Sequence, residues 1–447
     1  MIHVYELAQL DPVQRARLLR RAELEIDDLL EYVRPIVKDV RDRGDAALID
    51  YMERFDQVSL TPETLRVSRE EIDAAYKTLD PQVYDALRHA ISNVRTFHER
   101  QMPHEQTFTQ VAPGVMAGEK ITPISSVALC VPGKKGIFPS VMYMLAVPAS
   151  IAGVPRIVAC TAPGANGSID PASLVAADLC GVHEIYRISG PQGIAALAYG
   201  TESIPRVHKL TGPGNAYVSA AKRLLYGTVD VGLPAGPSES ILLADSDADP
   251  ELVARDLLIE AEHGPDSSSL LVTDSPTLLN AVLPLLAQKL AALPEPRLSF
   301  CRKGFESVEG TGGLILAPTM HEAIQFVNEY APEHLEVQVR EPFALLPQLQ
   351  NAGEVLIGPY TPVSMGNYSV GTNAILPTGG FAHTYSCTSV YDFLKRTGLA
   401  YVTSEGYAAL RETTHRLATF EGFPSHAAAL EQRFEPAPAV SGSRHTL

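Results

Sequence analysis

Residues 184–201 read EIYRISGPQGIAALAYGT, an apolar run that passes through a glycine turn into an alanine-rich segment. Ile185 and Ile188 give the first half the composition of a short buried strand. Gly190 marks the turn, and Pro191 stands where a helix accepts proline, in its first turn. The stretch therefore predicts one strand, a tight turn and one helix.

The same unit recurs on both sides of this stretch. Strand-like runs alternate with helical segments from Ser126 to residue 237, and a second array of similar size follows. The strand-like runs are, in order, SVALCVPG, RIVACTAPG, EIYRISG, RVHKLTGPG, ESILLADSDA, SSSLLVTDS, GGLILAPT, LEVQV and EVLIGPYT. Alternation with short connections favours parallel sheets covered by helices on both faces, so we expect an α/β protein. The arrays indicate either two domains or a duplication, and no residue-level repeat decides between them.

The two ends of the chain have a different pattern. Residues 1 to about 100 carry dense charge with an apolar rhythm near 3.6 residues, which predicts helices. Roughly the last sixty residues return to helical patterns and finish in EPAPAVSGSRHTL, a composition typical of a frayed tail. We therefore expect helices at both ends.

The composition excludes several classes of protein. The 447 residues carry a formal net charge of −16 without any Lys/Arg-rich run, so we expect neither a nucleic-acid nor a membrane partner. The N-terminus lacks the apolar core of a signal peptide, and prolines interrupt the most apolar segment, FPSVMYMLAVPASIAGVP. The 5 cysteines include no Cys-x-x-Cys pair, which argues against a disulfide or four-cysteine zinc scaffold and favours a reducing cytoplasm.

Two glycine-rich turns, ISGPQG at 188–193 and LTGPGN at 210–215, follow neighbouring predicted strands. Backbone N–H groups at such a turn can face an anion, and the dipole of the following helix favours one. Neither turn matches the Gly-x-Gly-x-x-Gly dinucleotide pattern. A cofactor cleft and a pair of plain turns both remain open.

The stretch LLIEAEHGPD at 257–266 places Glu260 and His263 three residues apart near the end of a predicted helix. Asp249 is a natural N-cap for this helix, and Gly264 a natural stop. Residues at i and i+3 share a helix face, so the two side chains can point at one metal ion. Solvated Glu-x-x-His pairs are common on helices, however, and the pair alone does not establish a metal site.

Three further stretches have high polar density: AGPSES, NEYAPEHLEV and SMGNYSVGTNAILPTGG. The second places Glu333 beside His334 at the start of a predicted strand. A histidine next to a glutamate at a strand end is a candidate general acid/base pair. When the two residues are taken alone, a surface ion pair is the better explanation.

Taken together, these stretches resemble the histidinol dehydrogenase family, whose motifs they follow in order over nearly the whole chain. The matching segments are PQGIAALAYGTESIP, GPGNAYV, AGPSES, DLLIEAEHGPDS, NEYAPEHL, GTNAILPT and FEGFPSHAAAL. The resemblance implies a homodimer with intertwined arms and shared active sites, in which the C-terminal arm of one subunit helps to complete the other's site. It also implies two Rossmann-like domains per subunit and one zinc ion per active site.

On this sequence we expect an N-terminal helical arm at 1–28 and a first Rossmann-like domain, with the metal and catalytic residues, at 29–125 plus 238–385. The second Rossmann-like domain, on the NAD side, is expected at 126–237. The C-terminal helical arm that reaches the partner subunit is expected at 386–447.

The resemblance implies the oxidation of an amino alcohol, L-histidinol, to L-histidine through the aldehyde, by two successive hydride transfers to NAD. The matching positions make Glu333 and His334 the acid/base pair. His334 would take the alcohol proton, and Glu333 would activate the water that hydrates the aldehyde. Ser238, His334 and Glu421 fall on substrate contacts.

Gln192 and Asn215 fall on NAD contacts, and so does Cys130, which stands where the family has tyrosine. His263 and His426 fall on zinc ligands.

Two departures from the family concern the metal. Glu260 stands where the family has glutamine, and Asn367 stands where it has aspartate. The resemblance therefore implies a metal site of Glu260, His263, Asn367 and His426 in which the single carboxylate has moved across the site. Carboxylate, imidazole and, more weakly, amide groups all suit zinc.

Other departures leave the substrate open. Ala374 stands where the family has histidine, and Lys134 and Lys135 form an unusual pair that either meets an anionic ligand or is solvated. A paralogue that oxidises another small polar alcohol, such as a sulfopropanediol, therefore fits the sequence as well. A metal-free, non-catalytic homologue is a third alternative, and retention of both Glu333 and His334 argues against it.

Overall fold

The computed structural model of the protein describes residues 1–21, 26–134, 136–307 and 310–431. The chain divides into two units. The first unit consists of Met1–Met102 and Pro123–Leu394, and the second of Pro103–Thr122 and Lys395–Leu447.

The described strands span three to nine residues, which is the usual range of strand lengths. They are β1 (Val4–Glu6), β2 (Gln106–Ala112), β3 (Val115–Pro123), β4 (Val127–Val131), β5 (Ile157–Thr161), β6 (Glu184–Tyr186), β7 (Lys209–Thr211), β8 (Glu239–Ala244), β9 (Ser268–Thr273), β10 (Gly313–Leu316), β11 (His334–Gln338), β12 (Glu354–Ile357) and β13 (Leu394–Val402).

The described helices of the first unit are α1 (Pro12–Arg20), α2 (Ile26–Arg43), α3 (Asp45–Asp56), α4 (Arg69–Thr78), α5 (Pro81–Glu99), α6 (Pro139–Ile151), α7 (Pro171–Leu179), α8 (Gly190–Tyr199), α9 (Ala216–Leu225), α10 (Pro250–Ala261), α11 (Pro276–Ala291), α12 (Arg297–Glu306), α13 (Met320–Tyr330), α14 (Pro342–Leu345) and α15 (Val363–Tyr368). Those of the second unit are α16 (Ser404–Phe420) and α17 (Pro424–Ala428).

Two parallel sheets organise the described part of the first unit. One has the strand order β6-β5-β4-β7, and the other has the order β1-β10-β9-β8-β11-β12. All of the pairings within these two sheets are parallel. The prediction of an α/β protein with parallel sheets is therefore confirmed. The domain boundaries at residues 28, 125, 237 and 385 stay a prediction.

Helices cover both faces of the smaller sheet, because successive strand residues point to opposite sides. On β4, Val127 and Leu129 face a core built with α5, α6 and α7, whereas Ala128 and Cys130 face a core built with α3, α8 and α9. Strands buried on both faces need nearly continuous apolar sequence. This requirement explains why VALCV contains no charged residue.

The two ends of the chain contain strands that the sequence analysis did not predict. Val4–Glu6 form β1, which pairs with β10 at the edge of the larger sheet, although residues 1 to about 100 were expected to be helical. Leu394–Val402 form β13 in a region also expected to be helical. These two strands were missed because their pairing partners lie far away in the sequence, so that no neighbouring strand or turn marks them.

The second unit contains the antiparallel hairpin of β2 and β3, a neighbouring strand β13, and helices α16 and α17. Thr403 caps α16 through its hydroxyl. The expected frayed tail, residues 435–447, lies outside the described residues. Among the residues that are described, no helix combines the length and the apolar character that a bilayer span requires.

Candidate active site

A cleft of about 1220 Å³ is lined by residues from both parallel sheets of the first unit. The smaller sheet contributes Cys130 and the turns that carry Gln192 and Asn215. The larger sheet contributes His334 at the start of β11, and helix α10 contributes Glu260. Residues that are far apart in the sequence, and that we predicted as cofactor, metal and catalytic positions, thus line one cavity.

Glu260, Glu333 and His334 form a buried cluster in this cleft. Each offers one ligand atom, and these atoms lie within 4.8 Å of one another. The three residues are only 1%, 8% and 2% exposed, respectively. Burial of several carboxylates without water requires close partners or a cation, so this arrangement is suited to holding a divalent metal ion.

His334 is held in one orientation by a second carboxylate behind it. Its Nδ1 lies 2.6 Å from Glu354 Oε1, and Glu354 Oε2 accepts a hydrogen bond of 3.2 Å from the Thr372 hydroxyl. A carboxylate at Nδ1 fixes the tautomer with the proton on Nδ1 and leaves Nε2 for chemistry. Nε2 lies 3.9 Å from Glu333 Oε1 and 4.0 Å from Glu260 Oε1.

The same carboxylates control the charge of the imidazole. Burial on its own lowers the pKa of His334, but the surrounding carboxylates outweigh it and raise the pKa to about 10. The imidazole is therefore cationic at neutral pH unless another cation takes the place of its proton.

Glu333 is anchored through one oxygen only. Its Oε2 accepts a hydrogen bond of 2.9 Å from the backbone N–H of Glu239. Burial raises the pKa of Glu333 well above its usual range, and the charges of Glu260 and Glu239 raise it further, although cationic His334 opposes them. Glu333 is therefore a carboxyl group whose protonation depends on its neighbours, as a general acid/base requires.

The negative charge of Glu239 is compensated by Arg21 in a buried ion pair that the sequence analysis missed. Arg21 Nη1 lies 2.6 Å from Glu239 Oε2, with the two side chains 3% and 5% exposed. The guanidinium also lies 3.7 Å from the centre of the Tyr330 ring. Arg21 is separated from Glu239 by more than two hundred residues, so no local sequence signal could have revealed the pair.

Glu260 lies against two of the groups that were predicted as its fellow metal ligands, Asn367 and His263. Asn367 Nδ2 donates to Glu260 Oε1 at 2.8 Å, and His263 Nδ1 lies 3.3 Å from Glu260 Oε2. Burial raises the pKa of Glu260, but the charges of His263 and His334 and the hydrogen bonds of Asn367 and Ser238 lower it below the usual value. Glu260 is therefore a carboxylate at neutral pH.

The glycine-rich turns form another wall of the cleft. Gly190 adopts φ +64°, and a Cβ there would lie 2.7 Å from Gln192 Oε1, so the turn requires glycine. Gln192 is buried, lines the cleft, and its Oε1 has no hydrogen-bond partner among the described residues. Asn215 caps α9 through Oδ1, which accepts from the Val218 N–H at 3.1 Å.

Asp56, which the sequence analysis missed, supports this wall through contacts with residues that line the cleft. Its carboxylate accepts from the Ser189 hydroxyl at 3.0 Å and from Gln192 Nε2 at 3.4 Å. Lys134 Nζ lies 2.7 Å from it and is therefore in an ion pair. Lys135, the other member of the predicted lysine pair, lies outside the described residues.

The remaining predicted positions fall in two places. Ser238 and Ala374 line the cleft with the residues above. Glu421 follows the last residue of α16, and His426 lies on α17, so both belong to the second unit. The described residues that line the cleft all belong to the first unit.

Replacement of Glu354 by glutamine tests how this carboxylate sets the state of His334. Loss of the negative charge at Nδ1 removes a stabilising partner of the imidazolium, so we expect the pKa of His334 to fall by about one unit or more. Histidine-selective ¹⁵N NMR of the metal-free protein measures this value. Glu251→Gln, which alters an exposed ion pair with Lys289, serves as the matched control. An unchanged His334 titration in Glu354→Gln would contradict the assigned role.

Comparison with known proteins identifies the family. The sequence model described as Histidinol dehydrogenase matches residues 19–434. The chain is 49% identical over 433 residues to a histidinol dehydrogenase from a Synechocystis species, covering 97% of this chain and 99% of that protein. It is 46% identical over 431 residues to "Histidinol dehydrogenase homolog 2" of Mesorhizobium japonicum, covering 96% and 98%, respectively.

A solved structure agrees with these sequence matches. The crystal structure of histidinol dehydrogenase from Elizabethkingia anophelis superposes with a TM-score of 0.90 at 33% identity, covering 96% of this chain and 97% of that one. The protein accordingly belongs to the histidinol dehydrogenase family of oxidoreductases.

Proposed function

We propose that this protein oxidises the amino alcohol L-histidinol to L-histidine through the aldehyde in the cytoplasm, with NAD as the electron acceptor and zinc as the metal. The observation that carries the proposal is the buried His334, whose Nδ1 is fixed by Glu354 and whose Nε2 faces Glu333 and Glu260 in the cleft. Such an arrangement places a base beside a metal-capable carboxylate within one cavity.

His334 takes the hydroxyl proton of the alcohol in this proposal. Its Nε2 is the ring nitrogen that faces the cluster, and the Glu354 carboxylate stabilises the imidazolium that forms when the proton arrives. The raised pKa of about 10 describes a ring surrounded by carboxylates alone. With a divalent cation bound nearby, His334 would have a lower pKa and would start the reaction as the neutral base.

Glu333 takes a proton from the water that hydrates the aldehyde. Its Oε2 is bound to the Glu239 N–H, which leaves Oε1 as the oxygen available to that water. Burial makes a neutral carboxyl group favourable, so accepting a proton here costs less than it would at the surface. Arg21 compensates the charge of Glu239 behind this site.

Zinc fits the residues around Glu260, which is the one member of the buried cluster that we propose as a ligand. We propose Glu260, His263 and Asn367 of one subunit and His426 of the other as its ligands. Glu260 is an ionised carboxylate, and donation from His263 Nδ1 to the Ile259 carbonyl leaves Nε2 as a ligand atom. When bound, zinc supplies a Lewis acid that polarises the substrate oxygen.

NAD fits the opposite wall. The unpaired Gln192 Oε1 is an acceptor that a cofactor hydroxyl or amino group would satisfy, and buried polar atoms without partners are uncommon. Asn215 uses Oδ1 as a helix cap and keeps its amide N–H groups for a ligand. Cys130 also lines the cleft on this side, and its side chain is small. NAD supplies the acceptor for each hydride that leaves the substrate carbon.

The identity of the substrate is the part of the proposal for which there is a second candidate. We place Ser238 and His334 against it, with Glu421 of the other subunit at its far end. Ala374 lines the cleft without any polar group, so one position beside the substrate offers no hydrogen bond. Oxidation of another small polar alcohol, such as a sulfopropanediol, is therefore the second candidate function.

A homodimer with shared sites is supported by the surface of the second unit. Helix α16 spans 17 residues, yet Gly406 is its only buried described residue, while Leu410, Leu417 and Phe420 are 37%, 57% and 89% exposed. The hydrophobic clusters of the described chain contain no residue of this unit. Apolar helix surface of this kind requires a covering partner, and we propose that this is a second copy of the chain.

The stoichiometry of the reaction tests the function directly. Purified zinc-supplemented protein should form two NADH per L-histidinol consumed, because an alcohol-to-carboxylate oxidation removes four electrons. Absorbance of NADH and chromatography of the product give the ratio, with His334→Ala as the inactive control. One NADH per alcohol would mean that oxidation stops at the aldehyde. No NADH with L-histidinol, but turnover of a sulfopropanediol, would establish the second candidate.

The position of the metal carboxylate is tested by moving it. Glu260→Gln should lower zinc affinity about tenfold or more, because it removes the charged ligand. The double variant Glu260→Gln/Asn367→Asp should recover much of it, because the charge returns on the opposite side of the site. Competitive zinc titration measures the affinities, and Glu262→Gln removes the same charge from a neighbouring residue of the cleft as a control. Full zinc affinity in Glu260→Gln would refute the assignment.

Sharing of sites is tested by mixing two inactive variants. If each active site combines the first unit of one subunit with His426 of the other, a heterodimer of His334→Ala and His426→Ala subunits contains two different sites. One site is complete, and the other carries both substitutions. Such heterodimers, isolated by two affinity tags, should therefore have about half of wild-type activity if active sites act independently. Heterodimers of His334→Ala with Glu333→Gln carry both lesions in the first unit and should stay inactive. Absence of recovery in the first mixture would argue that His426 serves its own chain.

A further inference from the structure

Cys130 and Cys160 form a pair of thiols in the wall of the cleft. They are paired positions on the neighbouring parallel strands β4 and β5, so their side chains leave the sheet on the same face. Neighbouring strands lie about 4.8 Å apart, which is within the Cα separation that a disulfide spans. Both residues are buried from bulk solvent, at 6% and 5% exposure, and both line the cleft.

A buried lysine lies beside this pair. Lys222 of α9 is 9% exposed, and its Nζ donates a hydrogen bond of 2.6 Å to the Gly212 carbonyl. Its positive charge favours the ionised form of both thiols, although burial lowers the pKa of the lysine itself. A cation next to a thiol is the setting in which cysteines become nucleophilic.

The two sulfur atoms are not equivalent. The hydrogen bond from the Cys160 thiol is the main cause of a lowered pKa at Cys130, and it outweighs the opposing effect of burial. The same hydrogen bond, together with burial, raises the pKa of Cys160 well above its usual range. Cys130 is thus the sulfur of the pair that ionises more readily and Cys160 the one that keeps its proton, the relation found between an attacking and a resolving cysteine.

We propose that Cys130 and Cys160 are an oxidation site in the cleft, at which a small hydroperoxide converts the two thiols into a disulfide. The Cys130 thiolate attacks the outer oxygen of the hydroperoxide, an S–O bond forms, and the O–O bond breaks. The departing alkoxide takes a proton and leaves as the alcohol. The Cys160 sulfur then attacks the Cys130 sulfur, the S–O bond breaks, and the hydroxide leaves as water with the Cys160 proton. Two thiols lose two electrons and the hydroperoxide gains them.

This site goes beyond the proposed dehydrogenase reaction and requires neither NAD nor zinc. The other three cysteines of the chain have thiols that ionise less readily than an exposed cysteine. Burial raises the pKa of Cys180 and of Cys301 to about 12, and that of Cys387 to about 11. Cys387 is nevertheless more exposed than either cleft cysteine. Exposure alone therefore predicts oxidation of Cys387 first, whereas the proposal predicts Cys130 first.

The test uses the full-length protein and one equivalent of hydrogen peroxide or of tert-butyl hydroperoxide. Intact mass and peptide mapping should show a Cys130–Cys160 disulfide that dithiothreitol reverses, with Cys387 still reduced. In Cys160→Ser the reaction should stop at a sulfenic acid on Cys130, which dimedone labels. Oxidation of Cys387 ahead of the pair, or native thiols that stay reduced while the denatured chain reacts, would overturn the proposal.

The lysine gives a second, independent measurement. Lys222→Met should slow oxidation of Cys130 about tenfold, because it removes the charge that favours the thiolate. Lys209→Met is the matched control, since Lys209 is equally buried but pairs with Asp230. Equal oxidation rates in both lysine variants would refute the role of Lys222. If Lys222→Met does not fold, the order of labelling at Cys130 and Cys387 in the native protein still decides the proposal.

Discussion

The cleft depends on the opposite strand directions of the two parallel sheets that line it. The smaller sheet presents the carboxyl ends of its strands, so the turns at Gly190 and Asn215 introduce the amino ends of α8 and α9. The larger sheet presents the amino ends of β8 and β11, and α10 ends beside them. Helix amino ends favour anions, and helix carboxyl ends favour cations. One wall is thereby suited to a phosphate-bearing cofactor and the other to a metal ion.

Side-chain charge reinforces this division. Glu260 lies in the last turn of α10, where the helix dipole would favour a cation rather than a carboxylate. A carboxylate held there, at 1% exposure, is stable only while hydrogen bonds and nearby positive charge compensate it. His334 supplies that charge as an imidazolium with a pKa of about 10, and a divalent ion can supply it instead. Proton and metal therefore compete for the same group of carboxylates.

Much of this was accessible from the sequence, because it follows local patterns. Strand–helix alternation gave the parallel sheets, and the Asp249 cap with Gly264 gave helix α10 and the shared face of Glu260 and His263. The groups that tune these residues were not accessible. Three of them, Glu354, Asp56 and Arg21, come from distant elements and contact residues in or behind the cleft. No local sequence pattern distinguishes such a buried carboxylate or guanidinium from one at the surface. Only tertiary packing brings such charges together.

The contact between Asn367 and Glu260 supports the ligand set that we propose, in which the carboxylate stands on the opposite side of the site from the family pattern. An amide opposite a carboxylate donates to it, here at 2.8 Å, whereas two carboxylates at that separation would repel each other. The pair therefore carries a single negative charge whichever of the two residues is the acid. The donated bond occupies the amide nitrogen and leaves Asn367 Oδ1 as the atom with ligand character. In the ligand set that we propose, Glu260 supplies the charge, and Asn367 orients it and contributes a neutral oxygen.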